Sequence, residues 1–280
     1  MAMNPETLLN APPIRVVQDW SDKDTILYAL GVGSEELDFV YEARLKALPT
    51  MAVVLGYPGF IWRNPQWGVD WTKVLHGEQS VVIHTPFPAS GHFVGETRIA
   101  RLMDKGADKG AIAIVERRIT DGASLHYADV VATIFLRGDG GFGGSPDGAP
   151  VPHQTPADRA PDISVSLPTA SNSAMIYRLS GDFNPLHIDP DIARAGGFDR
   201  PILHGLATYG VAGRALLSAL VDDDPARIQR MDVRFSRPIE PGETIRTEIW
   251  IEGEGRAAFQ SKSVERDVTV LSHGYCEFAV

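Results

Sequence analysis

The chain repeats itself, and that repeat limits its fold more than any single motif does. Pro88-Ala-Ser-Gly-His-Phe-Val-Gly95-Glu-Thr-Arg-Ile and Arg237-Pro-Ile-Glu-Pro-Gly242-Glu-Thr-Ile-Arg share a Gly-Glu-Thr triplet, 147 positions apart. Upstream, Leu27-Tyr28-Ala29-Leu30 lines up with Ile176-Tyr177-Arg178-Leu179 at an offset of 149. A near-constant offset across two blocks implies a duplicated unit. Between the copies lies the longest break in pattern, Gly138 to Asp162, with Gly-Asp-Gly-Gly-Phe-Gly-Gly followed by several Pro and Asp. It reads as a linker. A phosphate loop would end in Gly-Lys-Ser/Thr and open a helix, and this run does neither. The expected division is a first unit over 1–137, a linker over 138–162 and a second unit over 163–280.

Local patterns fill in each unit. Ile245, Thr247, Ile249 and Ile251 alternate with Arg246, Glu248 and Trp250, the period of a half-buried strand. Ala257–Arg266 and Thr269–Phe278 read as further strands across short turns, which favours antiparallel pairing. Thr97–Leu102, Ala111–Ile119 and His126–Leu136 have the same order in the first unit. Gly205 to Leu220 reads as a helix whose single charge is Arg214, apolar nearly all round, as a helix enclosed by a sheet would be. Each unit is therefore expected to run helices first, then an antiparallel sheet able to wrap one central helix, an α+β arrangement.

The net charge of -10 excludes a general nucleic-acid binder, which needs a basic stripe. The lone Cys276 excludes an intramolecular disulfide and a cysteine metal site, and its apolar neighbours mark a core residue. The most apolar stretch, Ile202 to Val221, contains His204, Arg214 and many small residues, so a buried helix is expected rather than a membrane span. The first residues lack the apolar run of a signal peptide and the last lack a peroxisomal or reticulum address, so the cytoplasm is the expected location.

One stretch carries chemistry. Tyr177-Arg-Leu-Ser-Gly-Asp-Phe-Asn-Pro-Leu-His187 places a carboxylate, an amide and an imidazole within six residues. These groups can hold a water, take its proton and return one. On a regular helix Asp182 and His187 would lie about 140° apart. Pro185 disfavours helix at Asn184 and removes an amide donor, so an irregular turn is expected. At the 149 offset Asp182 falls on Gly33, and the first unit has no Asp-x-Asn-Pro-x-His there. One site per chain follows, in the second unit, with the first unit supplying pocket wall. Asp189 before Pro190 reads as the cap of a short helix over Asp191–Ala195. His204 reads as structural, and Tyr177 as a residue that packs or lines the pocket. His76, His84, His92, His126, His153 and His273 show no metal-ligand spacing.

This stretch, followed by Gly197-Phe-Asp-Arg-Pro-Ile-Leu-His-Gly-Leu-Ala-Thr-Tyr-Gly210 and Val233-Arg-Phe-Ser-Arg-Pro-Ile-Glu-Pro-Gly-Glu-Thr, resembles the hydratase-2 motif of the MaoC-like dehydratases. The likeness is nearest to the (R)-specific 2-enoyl-CoA hydratase part of the peroxisomal multifunctional enzyme type 2. The resemblance implies a double hot-dog fold with a degenerate first unit. It implies that Asp182 and His187 form the catalytic pair, that Asn184 orients the site and that the Gly205 amide meets the thioester oxygen. It further implies an acyl-CoA substrate, no cofactor beyond that CoA, and a homodimer. CoA is polyanionic and the chain is acidic, so local cations are needed; Arg200, Arg234 and Arg237 lie beside the motif segments. A hot-dog thioesterase and a non-catalytic acyl-CoA-binding subunit are the competing readings. Neither has a use for the intact Asp-x-Asn-Pro-x-His turn.

Overall fold

The computed structural model describes residues 3–280; Met1 and Ala2 of the expected first unit lie outside the described residues. After the short helix α1 (Pro5–Leu9) come β1 (Ile14–Trp20), α2 (Asp22–Gly31) and α3 (Leu37–Val40). Ser21 and Asp24 close a reciprocal capping box on α2, satisfying amides that the first turn leaves free. Four strands follow: β2 (Val74–Ile83), β3 (Gly91–Asp104), β4 (Ala111–Thr120) and β5 (His126–Leu136). The second unit runs β6 (Ile163–Pro168), α4 (Ser173–Tyr177), α5 (Pro190–Ala195), α6 (Gly205–Val221), β7 (Ile228–Phe235), β8 (Thr244–Ile251), β9 (Arg256–Ser263) and β10 (Val268–Phe278).

The duplication is visible in the sheet. Strand order is β1-β3-β4-β5-β2 in the first unit and, in equivalent places, β6-β8-β9-β10-β7 in the second. The two sheets join edge to edge, β2 antiparallel to β7 from Glu78↔Arg234 to Val82↔Arg230, into one ten-stranded sheet. Joining removes two open edges. The repeated tyrosines meet at this pseudo-symmetric centre, Tyr28 against Tyr177 with ring centroids 5.9 Å apart. A Cβ on Gly31 would come within 3.0 Å of the Tyr177 Cα, so glycine sets how closely α2 and α4 approach.

The expected strands of both units form. The expected order, helices before sheet, is corrected: β1 comes before α2 and β6 before α4, and they pair with β3 and β8. Both are edge strands, specified more by their partner than by their own residues. A second correction concerns the central helix. The second unit has it in α6, but the first has only a 3-10 turn, Pro49–Val53, at the corresponding place. All of its residues are buried, so it fills core volume without being a helix. The β-branched Thr50, Val53 and Val54, then Gly56-Tyr-Pro58-Gly59, stop it.

α6 therefore packs on both units. A Cβ on Gly210 would lie 2.4 Å from Val32 Cγ1, and one on Gly213 2.5 Å from Thr50 Cγ2. Arg214, the helix's single charge, donates to the Val32 carbonyl at 3.1 Å and to Glu36 at 2.9 Å, both in the first unit. One core results, in which Met51 and Leu55 share a cluster with Val211 and Leu217.

No helix or strand forms between Leu136 and Ile163, yet this segment packs. Asp104 accepts the Gly141 and Gly143 amides at 2.7 Å each, so the glycine run that resembles a phosphate loop already holds a carboxylate. Further on, Trp250 Nε1 donates to the Arg159 carbonyl at 3.0 Å, and His153 Nε2 meets Glu252 at 2.7 Å. Trp250, outward by the alternation of β8, is buried under this segment. No helix among the described residues is long and apolar enough to cross a membrane.

Candidate active site

The chain leaves α4 through a 3-10 turn, Arg178–Ser180, and reverses at Gly181, whose φ of 122° suits only glycine. Asp182 follows. Its Oδ1 accepts the Asn184 amide at 3.2 Å, and Asn184 Oδ1 in turn accepts the Leu186 amide at 3.2 Å. Pro185 starts a second 3-10 turn, Pro185–His187. Asn184 thus shapes the turn as its cap, with its side chain exposed. Asp189 caps α5, accepting from Asp191 at 2.8 Å and Ile192 at 3.3 Å.

The second part of the site is the entry into α6. The Leu203 amide donates to the Ile239 carbonyl at 2.8 Å, which ties the segment before the helix to the Arg-Pro-Ile-Glu-Pro-Gly stretch. Two histidines connect this entry to the turn. His187 Nδ1 donates to the Ile202 carbonyl at 2.8 Å. His204 Nε2 donates to the Asp182 carbonyl at 3.1 Å. A carbonyl only accepts, so these nitrogens carry the hydrogens, leaving lone pairs on His187 Nε2 and His204 Nδ1. The two rings stack with centroids 3.7 Å apart. Ligating atoms of Asp182, His187 and His204 all lie within 4.8 Å of one another. His204, read from the sequence as structural, makes this bond to the Asp182 carbonyl and also joins the polar cluster. Its Nδ1 is buried without a protein partner.

Burial keeps both imidazoles neutral. Desolvation lowers the His187 pKa, against the opposing pull of the Ile202 carbonyl and the Asp182 charge. His204 is pushed down to about 3 by burial and then by His187. The Gly205 amide opens α6 and no side chain caps it. A Cβ on Gly205 would lie 3.3 Å from the Phe235 ring, so glycine keeps this approach open.

Tyr177 is fully buried between Tyr28 and His204, and its hydroxyl has no protein partner. Burial, reinforced by Tyr28 and Asp182, raises its pKa well above the usual phenol. The arginine candidates are not gathered. Arg200 is exposed and pairs with Glu240 at 3.3 Å, while Arg234 pairs with Glu78 at 2.6 Å across the β2–β7 join. Arg237 is exposed and forms no ion pair among the described residues.

Three first-unit residues near this site have no signal in the sequence. Tyr57 is pushed up to about 12 by burial and by the Asp182 charge. Arg117 donates to the Ala52 and Val53 carbonyls at 3.1 and 2.7 Å and lies 5.4 Å from the Tyr57 ring centroid. His76 packs its ring 4.9 Å from that of Phe235. They belong to no motif. A surface cavity of about 300 Å³ lies elsewhere: Pro49, Phe87, Asp224 and Pro225 line it near the other end of α6. The cluster's donor set could also hold a metal ion, as could a second group, His84, His126 and Asp129. Sequence spacing showed neither, because each is assembled by the fold.

Known proteins share this architecture. Residues 152–273 match the MaoC like domain family, and residues 19–138 match the MFE-2 hydratase 2 N-terminal domain. The 3-hydroxyacyl-thioester dehydratase Y of Mycobacterium tuberculosis is 40% identical over 99% of this chain and 99% of its own length. The probable enoyl-CoA hydratase 2 of Dictyostelium discoideum is 42% identical over 90% of this chain and 88% of its own length. A solved MaoC-like dehydratase from Phytophthora capsici is similar at a TM-score of 0.89 and 36% identity, covering 99% of both chains. In fold alone, a Mycobacterium tuberculosis protein described as a double hotdog matches with a TM-score of 0.56 and 14% identity, covering 96% of both chains.

Proposed function

The chain belongs to the MaoC-like dehydratase family, and on that premise we propose that it is an (R)-specific 2-enoyl-CoA hydratase whose second unit carries the chemistry. One observation supports the site above others: Asp182, His187 and His204 bring their polar atoms within 4.8 Å of one another beside the start of α6.

Neutral water is a weak nucleophile toward C3 of an enoyl thioester, so a positioned base must take a proton as its oxygen attacks. His187 offers the Nε2 lone pair, because Nδ1–H is committed to Ile202. Asp182 takes the water's second hydrogen in a hydrogen bond and fixes its direction. The hydroxyl forms a bond to C3, and the C2=C3 electron pair moves toward the thioester carbonyl. Charge builds on that oxygen, where the Gly205 amide at the positive end of α6 stabilises it. The proton held by the pair then goes to C2. Its oscillation between Asp182 and His187 belongs to the pair as a coupled unit. Water and proton come from one side, so addition is syn and gives the (3R)-hydroxyacyl-CoA. The reverse direction is dehydration. No cofactor beyond the substrate's own CoA takes part. Arg237 is the candidate that keeps a free charge for the CoA phosphates, and Tyr177 holds the pair's surroundings in place. The first unit walls the acyl group. A cytoplasmic homodimer completes the reading, checked by light scattering and by fractionation.

The test is loss of conjugated-thioester absorbance with crotonyl-CoA and a long-chain enoyl-CoA, followed by chiral analysis. Hydration to the 3R alcohol is expected. Tight binding without hydration of either points to the binding-subunit reading, and release of free CoA to a thioesterase.

A further inference from the structure

Three side chains of the first unit, apart from the site above, converge on the outer face of its sheet. His84 Nε2 stands 2.8 Å from Asp129 Oδ2, and His126 Nε2 stands 3.0 Å from Asp129 Oδ1. The imidazole centroids are 4.2 Å apart, and the three ligating atoms lie within 4.8 Å of one another.

The backbone builds this convergence. His126 and Asp129 are three positions apart on β5, so on a regular strand they would face opposite sides of the sheet. The register against β4 shifts there, with Ile119 opposite Ala128 but Thr120 opposite His126. That irregularity turns His126 to the Asp129 face, as bulges do when they re-aim a side chain. His84 arrives from the neighbouring strand. Val82 is opposite Asp129, and His84, two residues on, keeps that face while its amide donates to the Tyr127 carbonyl at 2.8 Å. Arg118 is opposite Asp129 on β4, but no ion pair joins them among the described residues. The carboxylate is shared by the two imidazoles.

We propose that His84, His126 and Asp129 form a binding site for one divalent first-row transition-metal ion, with zinc the best match. Two imidazole nitrogens and one carboxylate oxygen are zinc donors, whereas calcium and magnesium select oxygen. The side chains are 40%, 24% and 44% exposed in that order, which leaves a fourth position for water. Each Nε2 now donates its hydrogen to the carboxylate. On binding, that hydrogen moves to Nδ1, which forms no hydrogen bond to protein on either ring. The ion would clip the end of β2 to the start of β5.

The experiment is calorimetric titration of the EDTA-treated 280-residue chain with Zn²⁺, with Co²⁺ absorption as a second readout. One ion per chain is expected. H126A, H84A and D129N should each weaken binding at least about tenfold, the loss that removing even an outer partner of a metal ligand produces. Metal-free turnover should be unchanged in H84A and H126A. Because Asp182, His187 and His204 are the other place an ion could bind, these variants separate the two. No zinc binding by the unaltered chain, or unaltered affinity in folded H84A and H126A, overturns the proposal. If H126A does not fold, H84A and D129N decide the matter.

Discussion

Residues 33–36 and 181–187 follow equivalent helices, those ending after Tyr28 and at Tyr177, yet the two turns do opposite things with charge. In the first, Gly33 leaves room for Arg214, and Glu36 accepts that guanidinium in a partly buried pair. In the second, Asp182 forms no ion pair among the described residues, and the His187 and His204 imidazoles, both with pKa values lowered by burial, lie beside it instead. The first turn has become a strut that holds α6; the second gathers Asp182 and His187 beside His204, whose Nδ1 has no protein partner. Duplication supplied two copies of one frame. Losing the first copy's central helix let one helix serve both, with the glycines at 210 and 213 giving it close contact on the first unit's side.

Removing the charge or the base in the second turn should give the largest effect. D182N and H187A are expected to lower kcat by about 10²–10⁴, the usual worth of general acid–base catalysis, with little change in urea midpoint. Wild-type turnover in either would erase the functional distinction between the turns. H204F comes next. It keeps a ring on His187 but loses the hydrogen bond to the Asp182 carbonyl, and kcat should fall by about 10- to 100-fold through misplacement of the pair. An unchanged kcat would leave His204 a packing residue only.

The strut should respond in stability. E36Q leaves Arg214 buried without its ion pair, and G213A drives a methyl toward Thr50; each should cost about 1–3 kcal/mol in urea unfolding. Their kcat should stay within about twofold, and a larger fall would show that the strut also positions the site.

Acid sensitivity sharpens the comparison further. His76 in the first unit falls to about 4 and His204 in the second to about 3, both mainly through burial. An unfolded histidine binds its proton near pH ~6.5, so as pH falls from there the unfolded chain protonates first. Stability from this source is complete above that value and is lost toward pH 4 for His76 and pH 3 for His204. H76L and H204F should each flatten the decline measured by denaturant midpoints between pH 7 and 4. Two unaltered slopes would mean that carboxylates alone set it. R237A should have the smallest effect, raising KM about two- to threefold with kcat unchanged, since one exposed charge is worth little in salt.

The frame and the pieces of the site were legible in different degrees. β5 runs from His126 to Leu136 as its pattern says, and α6 extends the expected helix by one residue, because both have dense apolar periodicity. β1 and β6 have only one partner each and little burial of their own, so their pattern is weak. In the turn over 181–187, Asp182, Asn184 and His187 stand out because one short stretch contains them. Arg117 and Tyr57 do not, because only the packing of the first unit against the second brings them near.

What the sequence by itself determined is the local and the repeated: two copies of a unit, the gap between them, the apolar helix, and a turn that Gly181 and Pro185 make irregular. These follow from backbone preference and periodicity, which act over a few residues. The tertiary structure alone decided the edge-to-edge join of β2 with β7, the sharing of α6 and the stack of His187 on His204. It also placed His84, His126 and Asp129 on one face. Each depends on contacts between residues far apart in the chain, where chain entropy and packing compete and no local pattern records which pairing wins.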